Sequence, residues 1–351
     1  MDNVRQESYV SGLENKKKAY NAMCKASLFL FGVGLFSAAV SYGMAVLSGV
    51  LMPYIEAALA GLFSLFGLGK AGSVAAARML FSSHALSGIT NILVTLLTLV
   101  FPAYVFARMT HLCADDCFNI KGKCVRGTFS LFCLTHLLTM TVLLFSQGIY
   151  DFLMPAAESL SALEAAGEFD IYSFVSEIIS VCIFVPIAEE FVFRGVMYTY
   201  LKRFGIAFGV VSSALVFGVA HSSPVQSIYA FTFGTVAALA LELTGNLKTG
   251  IILHALNNLL TVCTEYMPLL LGDKAYEVFH CILMAVIVVF AFFGLFSFVR
   301  HDGLYDKFRQ NMKEKEITPV INAGIKEILA LPMALYVIIY AVTFAMTTLM
   351  V

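Results

Sequence analysis

The chain has 351 residues, 60% of them hydrophobic and only 13% charged, with a mean hydropathy of +0.86. Soluble domains run roughly 45–50% apolar and about 25% charged, so the composition excludes an ordinary soluble enzyme and describes a polytopic helical membrane protein. A net charge of −1, with no basic stripe beyond Lys16, Lys17 and Lys18, argues against a nucleic-acid partner.

Residues 1–26 read as a polar lead, too long and too mixed in charge for a secretory signal, so insertion is expected through the first span. Apolar runs of about 18 residues or more mark membrane spans. They are predicted at 27–52, 86–107, 127–149, 171–193, 205–221, 225–243, 249–271, 276–299 and 326–350. The fifth and sixth are short, which sets the count at eight to nine in an all-α fold around an intramembrane polar cavity. The Gly-rich stretch from Gly61 to Ser83, interrupted by Lys70 and Arg78, reads as interfacial or re-entrant. The chain thus divides into the lead (1–26), N-terminal membrane helices (27–170), a polar core (171–271) and C-terminal helices with a basic loop (272–351).

Lysine and arginine set the expected orientation. Lys25, the group Arg108, Lys121, Lys123 and Arg126, the pair Lys202 and Arg203, and the basic loop from Arg300 to Lys315 all belong on the cytoplasmic side. The 150–170 loop, with Asp151, Glu158, Glu164, Glu168 and Asp170 and no lysine or arginine, belongs outside. The N-terminus is therefore expected in the cytoplasm, and the plasma membrane of a bacterial cell is the expected location. The eight cysteines suggest no disulfide framework, and His111, Cys113, Cys117 and Cys124 in one polar loop match no common zinc spacing well.

The fourth apolar run leads into Ala188-Glu189-Glu190-Phe191-Val192-Phe193-Arg194-Gly195. Each ionised group at bilayer depth costs roughly 2.5–3.5 kcal/mol on insertion scales, so these three need compensation. Glu190 and Arg194 are spaced i, i+4 with the acid first, which lets them pair on one helix face. Glu189 is left over. Pro186, just before the acids, frees a carbonyl about a turn earlier and opens the packing. Further along, His221 stands i+4 from Phe217, and Asn258 stands i+4 from His254, so each helix can aim one polar stripe inward.

If the 171–203 helix turns near Gly205, Glu189 and His221 each lie about 16 residues from that turn, at about 24 Å, and are level. His254 follows its own turn by only about two helical turns, so it meets them only if the 225–243 helix is tilted, displaced or unwound, with Gly234 the candidate break.

Two carboxylates, two imidazoles and an amide support hydrolysis. A desolvated carboxylate is a strengthened base toward water, histidine can ligate a metal or hold that water, and an amide NH2 can steady a tetrahedral oxyanion. Metal-bound and metal-free water stay open: His221, His254 and Glu189 supply a three-ligand zinc set by residue type, without the two-histidine helix turn of soluble zincins. Blander readings stand beside these. Glu190 and Arg194 serve equally as a structural ion pair, Asn257 competes with Asn258 for the oxyanion role, and His136 and His280 read as helix-to-helix hydrogen bonders. Glu242, Lys248 and Glu177 read as interfacial.

The three motifs, E-E-x-x-x-R at Glu189–Arg194, F-x-x-x-H at Phe217–His221 and H-x-x-x-N at His254–Asn258, in that order and each on a predicted span, resemble those of the CPBP intramembrane proteases. That family, also called the CAAX protease and bacteriocin-processing or Abi family, includes the Ras-converting CAAX endopeptidase of eukaryotes. The resemblance covers about residues 171–265. It implies a water-activating Glu189, Glu190 paired with Arg194, Phe217 in support, His221 and His254 at the water or metal, and Asn258 on the oxyanion, with zinc the one candidate cofactor. The expected activity is hydrolysis of peptide bonds in membrane-associated proteins or peptides. The alternative keeps the cavity without the chemistry, as a membrane scaffold, immunity or binding protein; a transporter is disfavoured because no half repeats. The expected partners are the lipid bilayer and a peptide or membrane-protein substrate.

Overall fold

Backbone groups at bilayer depth find no water, so each segment must close its hydrogen bonds internally. In the computed structural model of the chain the residues described are 2–67, 69, 72–74, 84–120, 127–153, 169–221 and 224–300, and they form helices with no strand among them. The span expected at 326–350, the basic loop beyond Arg300, the acidic stretch 154–168, Lys70 and all of Ala75–Ser83, and Lys121, Lys123, Cys124 and Arg126 lie outside the described residues.

The first helix, α1 (Asp2–Leu65), takes in the expected lead without a break. Ala19, Ala22, Met23 and Ala26 are buried, so the end of the lead already belongs to the core. Helix α2 consists of an α segment His84–Thr95, a π segment Leu96–Val100 and an α segment Phe101–Met109. A short α3 (Ala114–Cys117) and then α4 (Thr128–Leu153) follow.

The central helix α5 (Ile171–Phe204) starts at Asp170, whose carboxylate accepts from the backbone N–H of Tyr172 at 3.2 Å and Ser173 at 2.9 Å, an N-cap in the usual geometry. It ends at Gly205, whose φ of 126° makes the tight turn into α6 (Ile206–Val219) where the sequence placed it. Helices α7 (Pro224–Thr244), α8 (Leu247–Leu271, N-capped by Asn246) and α9 (Asp273–Arg300) complete the described bundle. Five helices among the described residues are long and apolar enough to cross a bilayer: Gly88–Met109, Thr128–Phe145, Ile171–Phe204, Gln226–Thr244 and Asp273–Phe296, with Ile206–Val219 a shorter apolar one. The protein is a polytopic helical membrane protein, as its composition indicates.

Two departures from expectation position the site. Helix α7 is continuous through Gly234, so no break there brings His254 to the acids. Gly234 instead allows close approach: a Cβ on it would lie 3.2 Å from both Ala214 Cα and a ring carbon of Phe217, so α7 presses against α6. Helix α5 is π-helical at Ile178–Phe184 and again at Phe191–Tyr198, on either side of the α turn Val185–Glu190. An i→i+5 winding puts more residues into each turn, so Glu189 and Glu190 sit nearer the Gly205 end than an α-helix allows. The helix carrying the acids is shortened; the helix beside the histidine is not bent.

Candidate active site

Glu190 is fully buried, at 0% exposure, and its Oε1 serves two partners. Nη1 of Arg194 lies 2.9 Å away, the expected i, i+4 pair, and Nδ1 of His254 lies 3.0 Å away from the opposite helix. Its other oxygen, Oε2, faces Gly250 of α8, where a Cβ would lie 2.7 Å off, so a backbone without a side chain is what makes room for this carboxylate. Gly250, His254 and Asn258 are spaced i, i+4, i+8, and all three face α5. Gly250 and its role escaped the sequence reading, although the spacing that picks it out is printed in the chain.

Arg194, 1% exposed, is also held by aromatic faces: its guanidinium carbon stands 4.2 Å from the centroid of Phe217 and 5.8 Å from that of Phe233. A desolvated cation over a ring gains about 2 kcal/mol. Phe217 is the hub of the cluster. Its ring packs edge-on at 4.8 Å from the His221 ring and at 5.8 Å from the His254 ring, so both imidazoles flank one phenyl group. The α7 face contributes Phe233, 5.0 Å from the His254 ring, which the sequence reading also missed.

Both tautomers follow from the partners. The Glu190 carboxylate can only accept when paired with Arg194, so His254 Nδ1 carries a proton and Nε2 is the nitrogen turned toward Glu189. Likewise His221 Nδ1 lies 2.8 Å from the Phe217 carbonyl, an obligate acceptor, so its proton is also on Nδ1. His254 Nε2 stands 3.8 Å from Oε2 of Glu189, too far for a direct hydrogen bond. The Glu189 side chain is 21% exposed where Glu190 is sealed, so Glu189 is the carboxylate a reactant can reach.

The predicted residues thus converge with one exception. Glu189, Glu190, Arg194, Phe217, His221 and His254 share a cluster. Asn258 turns its carboxamide NH2 to the backbone carbonyl of Val181 in α5, at 2.8 Å. Asn257, its rival, accepts from the hydroxyl of Tyr229 on α7, and His136 of α4 lies against Asn257, so this second polar group ties three helices together. Glu177, expected at the interface, accepts from the Tyr266 hydroxyl at 2.9 Å, a tie between α5 and α8.

By type, the donor set fits zinc, since two imidazole Nε2 atoms and a carboxylate are all ligands and each histidine has its second nitrogen anchored. By placement it does not: among the described residues no three His, Cys, Asp or Glu side chains are grouped to hold a metal. In the 111–117 loop Cys113 is exposed and Cys117 buried.

The described parts of two segments, the 108–120 loop and Lys202–Arg203, meet the Gly245 turn at one end of the bundle, where Arg203 donates to the Thr110 carbonyl at 3.5 Å. Asn119 Nδ2 donates to the Gly245 carbonyl at 2.9 Å, Leu247 N–H donates to the Asn119 carbonyl at 2.8 Å, and Lys202 pairs with Glu242 at 3.9 Å. A cavity of about 300 Å³ lies there, lined by Asp116, Asn119, Thr199, Lys202 and Glu242 rather than by the clustered acids and histidines.

No curated protein and no solved structure matches the chain. The family model described as type II CAAX prenyl endopeptidase Rce1-like matches residues 171–260, about a quarter of the chain and the segment that supplies every one of the clustered residues.

Proposed function

We propose that the chain is an intramembrane endopeptidase that hydrolyses peptide bonds of membrane-associated proteins or peptides with Glu189 as the base. The observation that carries the reading is the division of labour between adjacent acids. Glu190 is consumed by Arg194 and His254, while Glu189 is reachable and faces His254 Nε2 across 3.8 Å. Two acceptors at that separation suit one water, which donates a hydrogen to each and presents its oxygen lone pair outward. Glu189 takes the proton as the oxygen adds to the scissile carbonyl carbon, the C–N bond breaks, and the proton passes to the leaving amine. His254 holds and orients the water, with its ring fixed by Glu190. His221, on the far edge of Phe217, is assigned to the same substrate space. Asn258 supports the oxyanion role only through the N–H not given to Val181.

No step is routed through a metal, because the ligand types are present without being grouped. Zinc remains the candidate cofactor, and elemental analysis of purified protein and of its His221→Ala variant tests it. Lys202 and Arg203 at one end of the bundle support placing that end in the cytoplasm. A cytoplasmic N-terminus and a bacterial plasma membrane stay part of the proposal.

Purified protein in detergent and a library of membrane-anchored fluorogenic peptides test the activity. Glu189→Ala and His254→Ala are each expected to lower cleavage about 10²–10⁴-fold with folding intact. Peptide binding that survives both changes, with no cleavage by the unaltered protein, would instead establish the non-catalytic binding protein.

A further inference from the structure

The backbone of α5 leaves one acceptor without its donor. The π segment Ile178–Phe184 is wound i→i+5, and Val185 N–H accordingly donates to the Ser180 carbonyl. The next carbonyl in that register belongs to Val181, and its donor would be residue 186, which is proline and has no N–H. The α-register donor for the same carbonyl, Val185 N–H, is already committed to Ser180. A carbonyl orphaned at bilayer depth is costly. Asn258 supplies the missing hydrogen from α8, at 2.8 Å.

We propose that Asn258 is a positioning residue whose carboxamide replaces the amide proton absent at Pro186, pinning α8 to α5 at the level that lets His254 lie between Glu189 and Glu190. The contact stands one helical turn beyond His254 on the face that also carries Gly250, so α8 is fixed to α5 at both ends of the histidine. Gly250 seats it against Glu190 on one side, and Asn258 bonds it to Val181 on the other. The following residue extends the grip to α7, since Asn257 is bonded to Tyr229. The proline and the asparagine, 72 positions apart in the chain, are two halves of one device.

Pro186→Ala restores a donor for Val181 and thereby makes the carboxamide dispensable, which gives a rescue experiment. The inference deepens the protease reading for its activity arm, while the stability arm stands without it. Four proteins are compared in detergent for thermal unfolding and for kcat and KM on a membrane-anchored peptide: unaltered, Pro186→Ala, Asn258→Ala and the double variant. Asn258→Ala is expected to lower the unfolding temperature and to reduce kcat about 3- to 20-fold, the range supported by one interhelical hydrogen bond in a membrane. The double variant is expected to recover both.

If Asn258→Ala unfolds outright, recovery of a folded protein in the double variant is the supporting result. Equal losses in the single and double variants would overturn the inference. So would an Asn258→Ala loss of 10²–10³-fold in kcat at unchanged stability, the signature of a missing oxyanion donor. Coupling in stability alone, with no cleavage by the unaltered protein, would uphold the Asn258–Val181 device and refute the protease reading instead.

Discussion

Replacing Gly250 with alanine separates local helix energetics from site geometry, because the two predict opposite outcomes. Helix propensity alone favours alanine over glycine by about 0.8–1.0 kcal/mol in a helix interior. The added methyl, however, would stand 2.7 Å from Glu190 Oε2 and 3.4 Å from its carboxyl carbon. A flexible carboxylate would normally swing aside, but Oε1 of this one is held at 2.9 Å by Arg194 and at 3.0 Å by His254. Overpacking of this kind costs about 1–3 kcal/mol, which offsets the propensity gain and leaves the unfolding temperature lowered by at most a few degrees. Relief by rotating the carboxylate breaks the His254 bond, and a hydrogen bond to a charged group is worth about 1.5–3 kcal/mol. Cleavage should therefore fall about 10- to 150-fold. The assay is kcat on a membrane-anchored fluorogenic peptide beside thermal unfolding in the same detergent. Unaltered cleavage together with a raised unfolding temperature would show that Glu190 has room to move, and would refute the clamp.

The buried pair gives a second prediction. Glu190→Gln and Arg194→Met should each cost about 3–5 kcal/mol by leaving a partner unpaired, whereas Glu190→Leu combined with Arg194→Met should regain most of that stability. The double variant should nevertheless stay inactive, since His254 Nδ1 then lacks its acceptor; cleavage by it would show that the pair is structural alone. Outside the membrane spans, burial pushes the Cys117 thiol up to about 11, with the charges of Asp116 and Cys113 adding to it. Only about one Cys117 thiol in a thousand is then ionised at pH 8, and because the thiolate is the reactive form, alkylation should quicken roughly tenfold per pH unit toward pH 11. Peptide mass mapping after iodoacetamide, with exposed Cys113 as the internal reference, checks this; equal labelling of both at pH 8 would contradict it.

The parts of this site that were legible in the chain are those set by short-range spacing. Glu190 and Arg194 meet because four residues make roughly one turn, and the α5–α6 hairpin turns at Gly205 because that residue reaches φ 126°. Pro186 was readable as the source of a freed carbonyl. Its acceptance by Asn258 was not, because the partner comes from another helix and no local pattern names it. The expected break at Gly234 failed for a related reason. Counting at an α-helical rise assumes a uniform helix, and the two π segments of α5 carry no distinctive composition that would have announced them. The second acceptance by Glu190, from His254, was likewise hidden: spacing offered Arg194 as a sufficient partner and left the carboxylate's remaining lone pairs unassigned.

Those remaining lone pairs decide what the adjacent acids can do. A single guanidinium beside two carboxylates cannot neutralise both, and in an apolar interior the acid nearest the cation keeps its charge most cheaply. Arg194 stands at 2.9 Å from Glu190, wedged there by Phe217, so the arginine settles that competition. Glu190 then holds a proton of His254 on Nδ1, and the far side of the ring turns Nε2 toward Glu189 at 3.8 Å. The ion pair that makes a charge tolerable in the membrane thus takes up Glu190 and leaves Glu189 outside the pairing, partly exposed and facing the other edge of the ring.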